Sequence, residues 1–136
     1  MDWASRTAAL SHARRLQVGA VIVKDDSVIS YGYNGMPAGW DNNCEDEIWN
    51  VHDGSSELKT KPEVLHAESN AIAKLAKSTN SGLGATMFVT HAPCMECAKL
   101  IYQSGISRVL YRDSYRDTGG VTFLEKSGIL VEKINY

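Results

Sequence analysis

Two short clusters constrain this chain more than any other feature. His66, Ala67 and Glu68 form an H-x-E, and Pro93 to Cys97 form a P-C-x-x-C. Each precedes apolar residues at helical spacing, Ala71, Ile72 and Leu75 in one case and Ala98 and Ile101 in the other. Cys94 and Cys97 are three apart and share a helix face, so both sulfurs reach one ion. The positive end of a helix favours their thiolate forms. His66 adds an imidazole. Three protein ligands leave the fourth tetrahedral position open for water, as at a catalytic zinc. The ion lowers that water's pKa toward about 7, and Glu68 is placed to take its proton and pass it on. Residues two apart diverge by roughly 200° within a helix, so His66 belongs at or before its helix start. The fold must therefore bring two helix starts together.

The rest of the pattern supplies a scaffold that can do this. Asp2 to Arg15 reads as an amphipathic helix. Val18 to Val23 is a continuous β-branched run, typical of a buried strand. Lys24 to Ser27 is a polar turn, and Val28 to Tyr33 a second strand paired antiparallel with the first. From Asn34 to Pro62 the pattern dissolves into glycines, prolines, acids and two tryptophans, a segment too long for a routine connection. A helix from Glu63 to about Lys77 follows, then a strand at Thr86 to Thr90. Next come a helix at Cys94 to Ser104 stopped by Gly105, a strand at Ser107 to Arg112, a short helix at Val121 to Lys126 and a strand at Ile129 to Ile134. The order α-β-β-α-β-α-β-α-β predicts one α/β domain over residues 1–136, with a central sheet and parallel later strands.

Composition narrows the function classes. With 14 basic and 16 acidic residues the formal charge is −2 over 136 residues, against the basic footprint that nucleic-acid binding needs. The 43% apolar and 22% charged content suits a globular chain. No run of 18 apolar residues predicts a membrane span, and no apolar segment follows a basic start as in a secretory leader. Three cysteines, Cys44, Cys94 and Cys97, do not make a disulfide framework. The expectation is a cytoplasmic protein, in the host cytoplasm if phage-encoded.

Other readings of the motifs remain open at this point. A lone C-x-x-C serves redox chemistry, but that leaves the H-x-E unexplained. A structural zinc wants four protein ligands, with Cys44 or His91 as the fourth. The pairing of H-x-E with P-C-x-x-C is the signature of zinc deaminases.

The longer segments are more specific. V-G-A-V-I-V-K-D, then G-Y-N-G-M-P-A-G (Gly32 to Gly39), H-A-E-S-N-A-I (His66 to Ile72), P-C-M-E-C-A-K-L-I (Pro93 to Ile101) and Y-R-D-S-Y (Tyr111 to Tyr115) together resemble deoxycytidylate deaminases. These belong to the cytidine deaminase superfamily and include compact phage enzymes. The resemblance implies a three-layer α-β-α fold with a five-stranded mixed sheet, and zinc-dependent hydrolysis of dCMP to dUMP and ammonia, supplying dUMP for thymidylate synthesis. Zinc would be held by His66, Cys94 and Cys97, and Glu68 would protonate N3 and the leaving amine. It further implies that the Ala67 N–H meets the base carbonyl, that Asn34 lies near the sugar, that Tyr115 borders the nucleotide and that Arg116 contacts the phosphate. Asn34 also reads as a turn residue before Gly35, and Arg116 as a solvated charge.

The same resemblance implies a hexamer activated by dCTP and inhibited by dTTP, with Mg²⁺ accompanying the effector. Gly32, Gly35 and Asn70 are the effector-site candidates, through a nest of backbone amides. Some relatives carry a second, structural zinc, for which Cys44 and His52 with His91 or His12 are candidates here. Trp40 and Trp49 read as loop packing or subunit contacts more readily than as base-stacking platforms. Larger relatives have extra chain before V-G-A-V, where His12 to Gln17 here connects directly. The competing functions are deamination of cytidine, guanine or a tRNA adenosine, and a zinc module without catalysis. The G-Y-N-G loop and Glu68 respectively weigh against them.

Overall fold

A computed structural model describes all 136 residues. The elements are α1 (Asp2–Ala8), β1 (Gly19–Lys24), β2 (Ser27–Tyr33), β3 (Glu45–Trp49), β4 (Ser56–Thr60), α2 (Ala67–Ala76), β5 (Thr86–His91), α3 (Met95–Gln103), β6 (Arg108–Asp113), α4 (Gly119–Lys126) and β7 (Leu130–Lys133). Five strands form a sheet in the order β2-β1-β5-β6-β7. β1 runs antiparallel to both β2 and β5, while β5, β6 and β7 are parallel, so the sheet is mixed. No helix is long and apolar enough to cross a membrane.

The β1–β2 hairpin turns on Asp25 and Asp26, both at positive φ (51° and 61°). That geometry matches the twist of the flanking strands, and Asp is among the few residues other than Gly that adopt it. The main core joins Ala20, Ile22, Met87, Val89 and Val109 of the sheet to Ala67, Ala71, Ala98, Ile101 and Leu124 of α2, α3 and α4. Those three helices share one face. On the other face α1 lies alone, close enough to β1 that a side chain at Gly19 would strike the backbone of Ala4 and Ala8. Gly32 serves α2 in the same way, against Ala67 and Ala71.

Three expectations are corrected. The first helix ends at Ala8 rather than near Arg15, because Ser11 Oγ donates to the Asn34 carbonyl (2.8 Å) and accepts from the Ala13 N–H (3.1 Å), which draws the chain off the helical path. The segment from 34 to 62 holds a two-stranded antiparallel sheet, β3 with β4, so the order is α-β-β-β-β-α-β-α-β-α-β. The second helix starts at Ala67, not Glu63. Gly105, at φ +85°, ends the turn after α3 as expected.

Candidate metal centre and cleft

His66 and Cys94 are the N-caps of α2 and α3, each in extended backbone (ψ 154° and 171°). The extended cap turns His66 off the helical spiral, which resolves the angular problem of an H-x-E within one helix. β5 delivers Cys94 through Ala92 and Pro93, so the site lies beyond the carboxyl end of that strand, where open α/β sheets bind ligands. His66 Nδ1 lies 3.6 Å from Cys94 Sγ and 3.3 Å from Cys97 Sγ. A tetrahedral zinc with bonds of about 2.3 Å to sulfur and about 2.0 Å to nitrogen spaces such ligands by about 3.5 Å. Two thiols and one imidazole, all within 4.8 Å of one another, therefore fit zinc without rearrangement.

The electrostatics suit the same ion. Cys94 is pulled down to about 4, chiefly by the hydrogen bond from the Cys97 thiol and next by His66. The proton is thereby concentrated on Cys97, pushed far up by that hydrogen bond and by burial. His66 is raised, first by its hydrogen bond to Cys94. Glu68 is 5% exposed, and burial pushes its carboxyl up to about 7 against the opposing pull of its own backbone and His66.

One cleft collects most of the residues singled out in the sequence. His66, Ala67, Glu68, Cys94, Asn34 and Tyr115 all line it. Ala67 is the first residue of α2, so its N–H has no partner within the helix. Asn34 lies on the cleft and ties down the connection that precedes β1. Its Oδ1 accepts from the Val18 N–H (2.9 Å), its Nδ2 donates to the Leu16 carbonyl (2.8 Å), and the side chain faces the cleft.

Other candidates lie elsewhere. Arg116 is exposed and outside the cleft. Gly32 is consumed by the packing of α2 on β2 and forms no nest. Gly35 and Asn70 line a second groove, together with His12, Tyr33, Lys74 and Lys77. There Asn70 Nδ2 donates to the Tyr33 carbonyl (2.8 Å). The chain gathers no second cluster of three metal-ligating side chains. Cys44 is on the cleft itself, buried beside Ala13 and Val64, whereas His52 is exposed beyond β3. Trp40 and Trp49 are exposed and outside both grooves.

The cleft also holds three side chains with charged or imidazole groups to which the sequence assigns no substrate role: Arg15, Glu45 and His91. The Arg14-Arg15 pair just before V-G-A-V was the available signal for the first. His91 Nε2 lies 3.5 Å from Asp113 Oδ2 and its Nδ1 3.3 Å from Thr90 Oγ1. Burial holds it below its ordinary pKa.

The family model described as the cytidine and deoxycytidylate deaminase zinc-binding region matches residues 1–112. A deoxycytidylate deaminase of Saccharomyces cerevisiae is 34% identical over 137 residues, covering 100% of this chain and 44% of that protein. The chain thus spans less than half the length of that relative. A deoxycytidylate deaminase of Mycobacterium phage D29 is 40% identical over 113 residues, covering 79% of this chain and 87% of that protein. Among solved structures, the dCMP deaminase of cyanophage S-TIM5 in complex with dCMP and dUMP superposes with a TM-score of 0.85. It is 42% identical, and the match covers 98% of this chain and 92% of that one.

Proposed function

The chain belongs to the cytidine and deoxycytidylate deaminase family, and from that premise we propose that it converts dCMP to dUMP and ammonia by zinc-dependent hydrolysis. The observation that carries this reading is the buried Glu68 on one cleft with His66 and Cys94, which cluster with Cys97. A carboxyl near 7 gives and takes a proton at neutral pH. A structural zinc site has no use for it.

His66 Nδ1 and the sulfurs of Cys94 and Cys97 would hold the zinc, which would supply acidification of the attacking water. Glu68 would take a proton from the attacking water as the water oxygen bonds to C4 of cytosine, and deliver it to N3. A second proton then passes through Glu68 to the exocyclic nitrogen. The C4–N bond breaks, ammonia leaves and C4 becomes a carbonyl. The Ala67 N–H meets the base carbonyl, while Asn34 and Tyr115 border the sugar. We assign the phosphate to Arg15 instead of Arg116, because Arg15 lines the cleft. The substrate choice draws support from the cyanophage relative, which was solved with dCMP and dUMP.

The second groove supports an effector reading. Lys74 and Lys77 beside Gly35 and Asn70 offer positive charge to a triphosphate, dCTP as activator or dTTP as inhibitor, with Mg²⁺ as counter-ion. The hexamer and the host cytoplasm follow from the resemblance alone, and sedimentation of the purified protein tests the former. A second zinc has no place in the reading, since Cys44, His12, His52 and His91 form no cluster of three within ligand distance.

The test is deamination of dCMP, deoxycytidine, CMP and dCTP side by side, with and without dCTP or dTTP as effector. Turnover confined largely to dCMP and shifted by the triphosphates is expected. Turnover on none of them by protein carrying one zinc per chain overturns the reading.

A further inference from the structure

Arg14 and Arg15 are consecutive, yet their side chains have different fates. Arg14 is spent on the scaffold. Its Nη2 donates to Asn43 Oδ1 (3.0 Å) and to the Glu45 carbonyl (3.3 Å), and its Nε lies 3.6 Å from Glu45 Oε1. Arg15 lines the cleft, its backbone N–H donates to Glu45, and its guanidinium makes no hydrogen bond or ion pair within the chain. What sorts the pair is Glu45, the first residue of β3. Its Oε2 accepts from the N–H groups of both Arg14 and Arg15, at 3.0 Å each. Glu45 is 1% exposed, lines the same cleft, and keeps an Oε1 with no hydrogen-bond partner.

A buried carboxylate with an unsatisfied oxygen is costly. Nothing in the packing of β3 on β4 requires it, since the next four residues of that strand are exposed. Its one evident product is the geometry of residues 14 and 15. We propose that Glu45 is a positioning residue for the substrate's phosphate: by clamping the backbone of Arg14 and Arg15 it ties one guanidinium to the scaffold and presents the other to a nucleoside monophosphate. The inference rests on reading the cleft as a nucleotide site. The physical gain is pre-organisation. An arginine side chain loses considerable rotamer entropy when it is fixed, and a guanidinium held near its bound pose spends less of its phosphate binding on ordering.

The experiment is a double-mutant cycle on the zinc-loaded enzyme, with wild type, Glu45→Ala, Arg15→Ala and the double variant. Steady-state kinetics on dCMP and deoxycytidine are paired with calorimetric Kd values for dUMP. Glu45→Ala and Arg15→Ala should each raise KM for dCMP and Kd for dUMP about ten-fold, the worth of one charge-assisted contact, with kcat lowered less than about three-fold. Efficiency on deoxycytidine, which lacks the phosphate, should fall less than about three-fold. The double variant should be no worse than either single one.

Should Glu45→Ala not fold, Glu45→Gln takes its place. One amide oxygen still accepts both N–H groups, but its NH₂ meets Arg14 Nε. A KM loss of a few-fold that vanishes in the Arg15→Ala background is then expected. Equal losses on dCMP and deoxycytidine, or an additive double variant, overturn the proposal. A wild type that binds dUMP without turning over dCMP overturns the catalytic reading alone, and the Kd cycle still decides Glu45. A wild type that binds no nucleoside monophosphate overturns both.

Discussion

Replacing Gly120 with alanine places a methyl group against the chain that carries the metal ligands. A Cβ at this position would press on the Pro93 carbonyl oxygen and stand 2.8 Å from the Cys94 carbonyl carbon and 2.9 Å from its oxygen. These are backbone atoms, so no rotamer change relieves the contact. The starts of α4 and α3 must separate by about 1 Å, because ordinary carbon contacts begin near 3.5 Å. Overpacking of this kind costs about 1–3 kcal/mol, and alanine's better helix propensity returns at most about 1 kcal/mol. A net loss of about 1–2 kcal/mol lowers Tm by roughly 3–10 °C in a chain this size. Because Cys94 is what moves, zinc affinity should fall about ten-fold as well, equivalent to about 1.4 kcal/mol.

Gly119→Ala is the control. Its Cβ meets Asp117 Oδ1 at 3.0 Å and the Met95 methyl at 3.4 Å, both ends of flexible side chains, so stability should change by less than about 0.5 kcal/mol. Thermal unfolding and competition with a chromophoric chelator read both quantities. A Gly120→Ala variant with unchanged Tm and zinc affinity, or one matched by Gly119→Ala, would refute the close-approach argument.

The remaining predictions touch the site directly. Glu68→Gln should retain one zinc per chain and lose turnover by about a thousand-fold or more, and zinc lost with the substitution would make Glu68 a ligand instead. Removing zinc with a chelator should abolish turnover and lower stability, by about 4 kcal/mol relative to protein in free zinc a thousand-fold above its Kd; a Tm indifferent to zinc would contradict the three-ligand site. Asn34→Ala leaves the Val18 N–H and the Leu16 carbonyl without partners, so denaturant unfolding should show a loss of about 1–3 kcal/mol. His91, held below its ordinary value near 6.5 by burial, stays neutral in the folded chain while the unfolded chain takes a proton. Its share of stability is therefore present above about pH 6.5 and lost as pH falls from there to the folded value. In chelator-treated protein, His91→Gln should flatten that part of the stability profile, and an unaltered slope would argue against buried neutral His91.

The sequence made the metal centre legible because such chemistry depends on residue identity and spacing, which folding does not disguise. The spacing of His66 and Glu68 and of Cys94 and Cys97 is legible without any element assignment, and the need for an extended His66 follows from helix geometry alone. Val18 to Val23 announced β1 for a related reason, since a strand buried on both faces has to be apolar throughout. β3 and β4 stayed hidden because they bury almost nothing. Asp46, Glu47, Ile48 and Trp49 are all exposed, so no alternation betrays a strand, and pairing with Ser56 to Thr60 is carried by the backbone. The overlong first helix has a local cause of the same kind. Ala13 has helical propensity, but its burial with Cys44 and Val64 in a satellite cluster, and Ser11's hydrogen bonds, take the chain elsewhere.

One of these hidden parts, the start of β3 at Glu45, also anchors the phosphate side of the proposed nucleotide site. The groups assigned to the reaction sit at the starts of α2 and α3 and inherit the rigidity of the main core through Ala67 and Cys97, which are 0% and 2% exposed. The groups assigned to the sugar and phosphate sit on connections: Asn34 after β2, Arg15 between α1 and β1, Tyr115 after β6. Those connections are pinned to one another rather than to the core, Leu16 and Val18 by the side chain of Asn34, Arg14 and Arg15 by Glu45. A change in the β3–β4 hairpin can therefore reshape the phosphate side of the cleft while leaving His66, Glu68, Cys94 and Cys97 where they are. On the proposed reading, that division separates the groups assigned to the chemistry from those assigned to the substrate's sugar and phosphate.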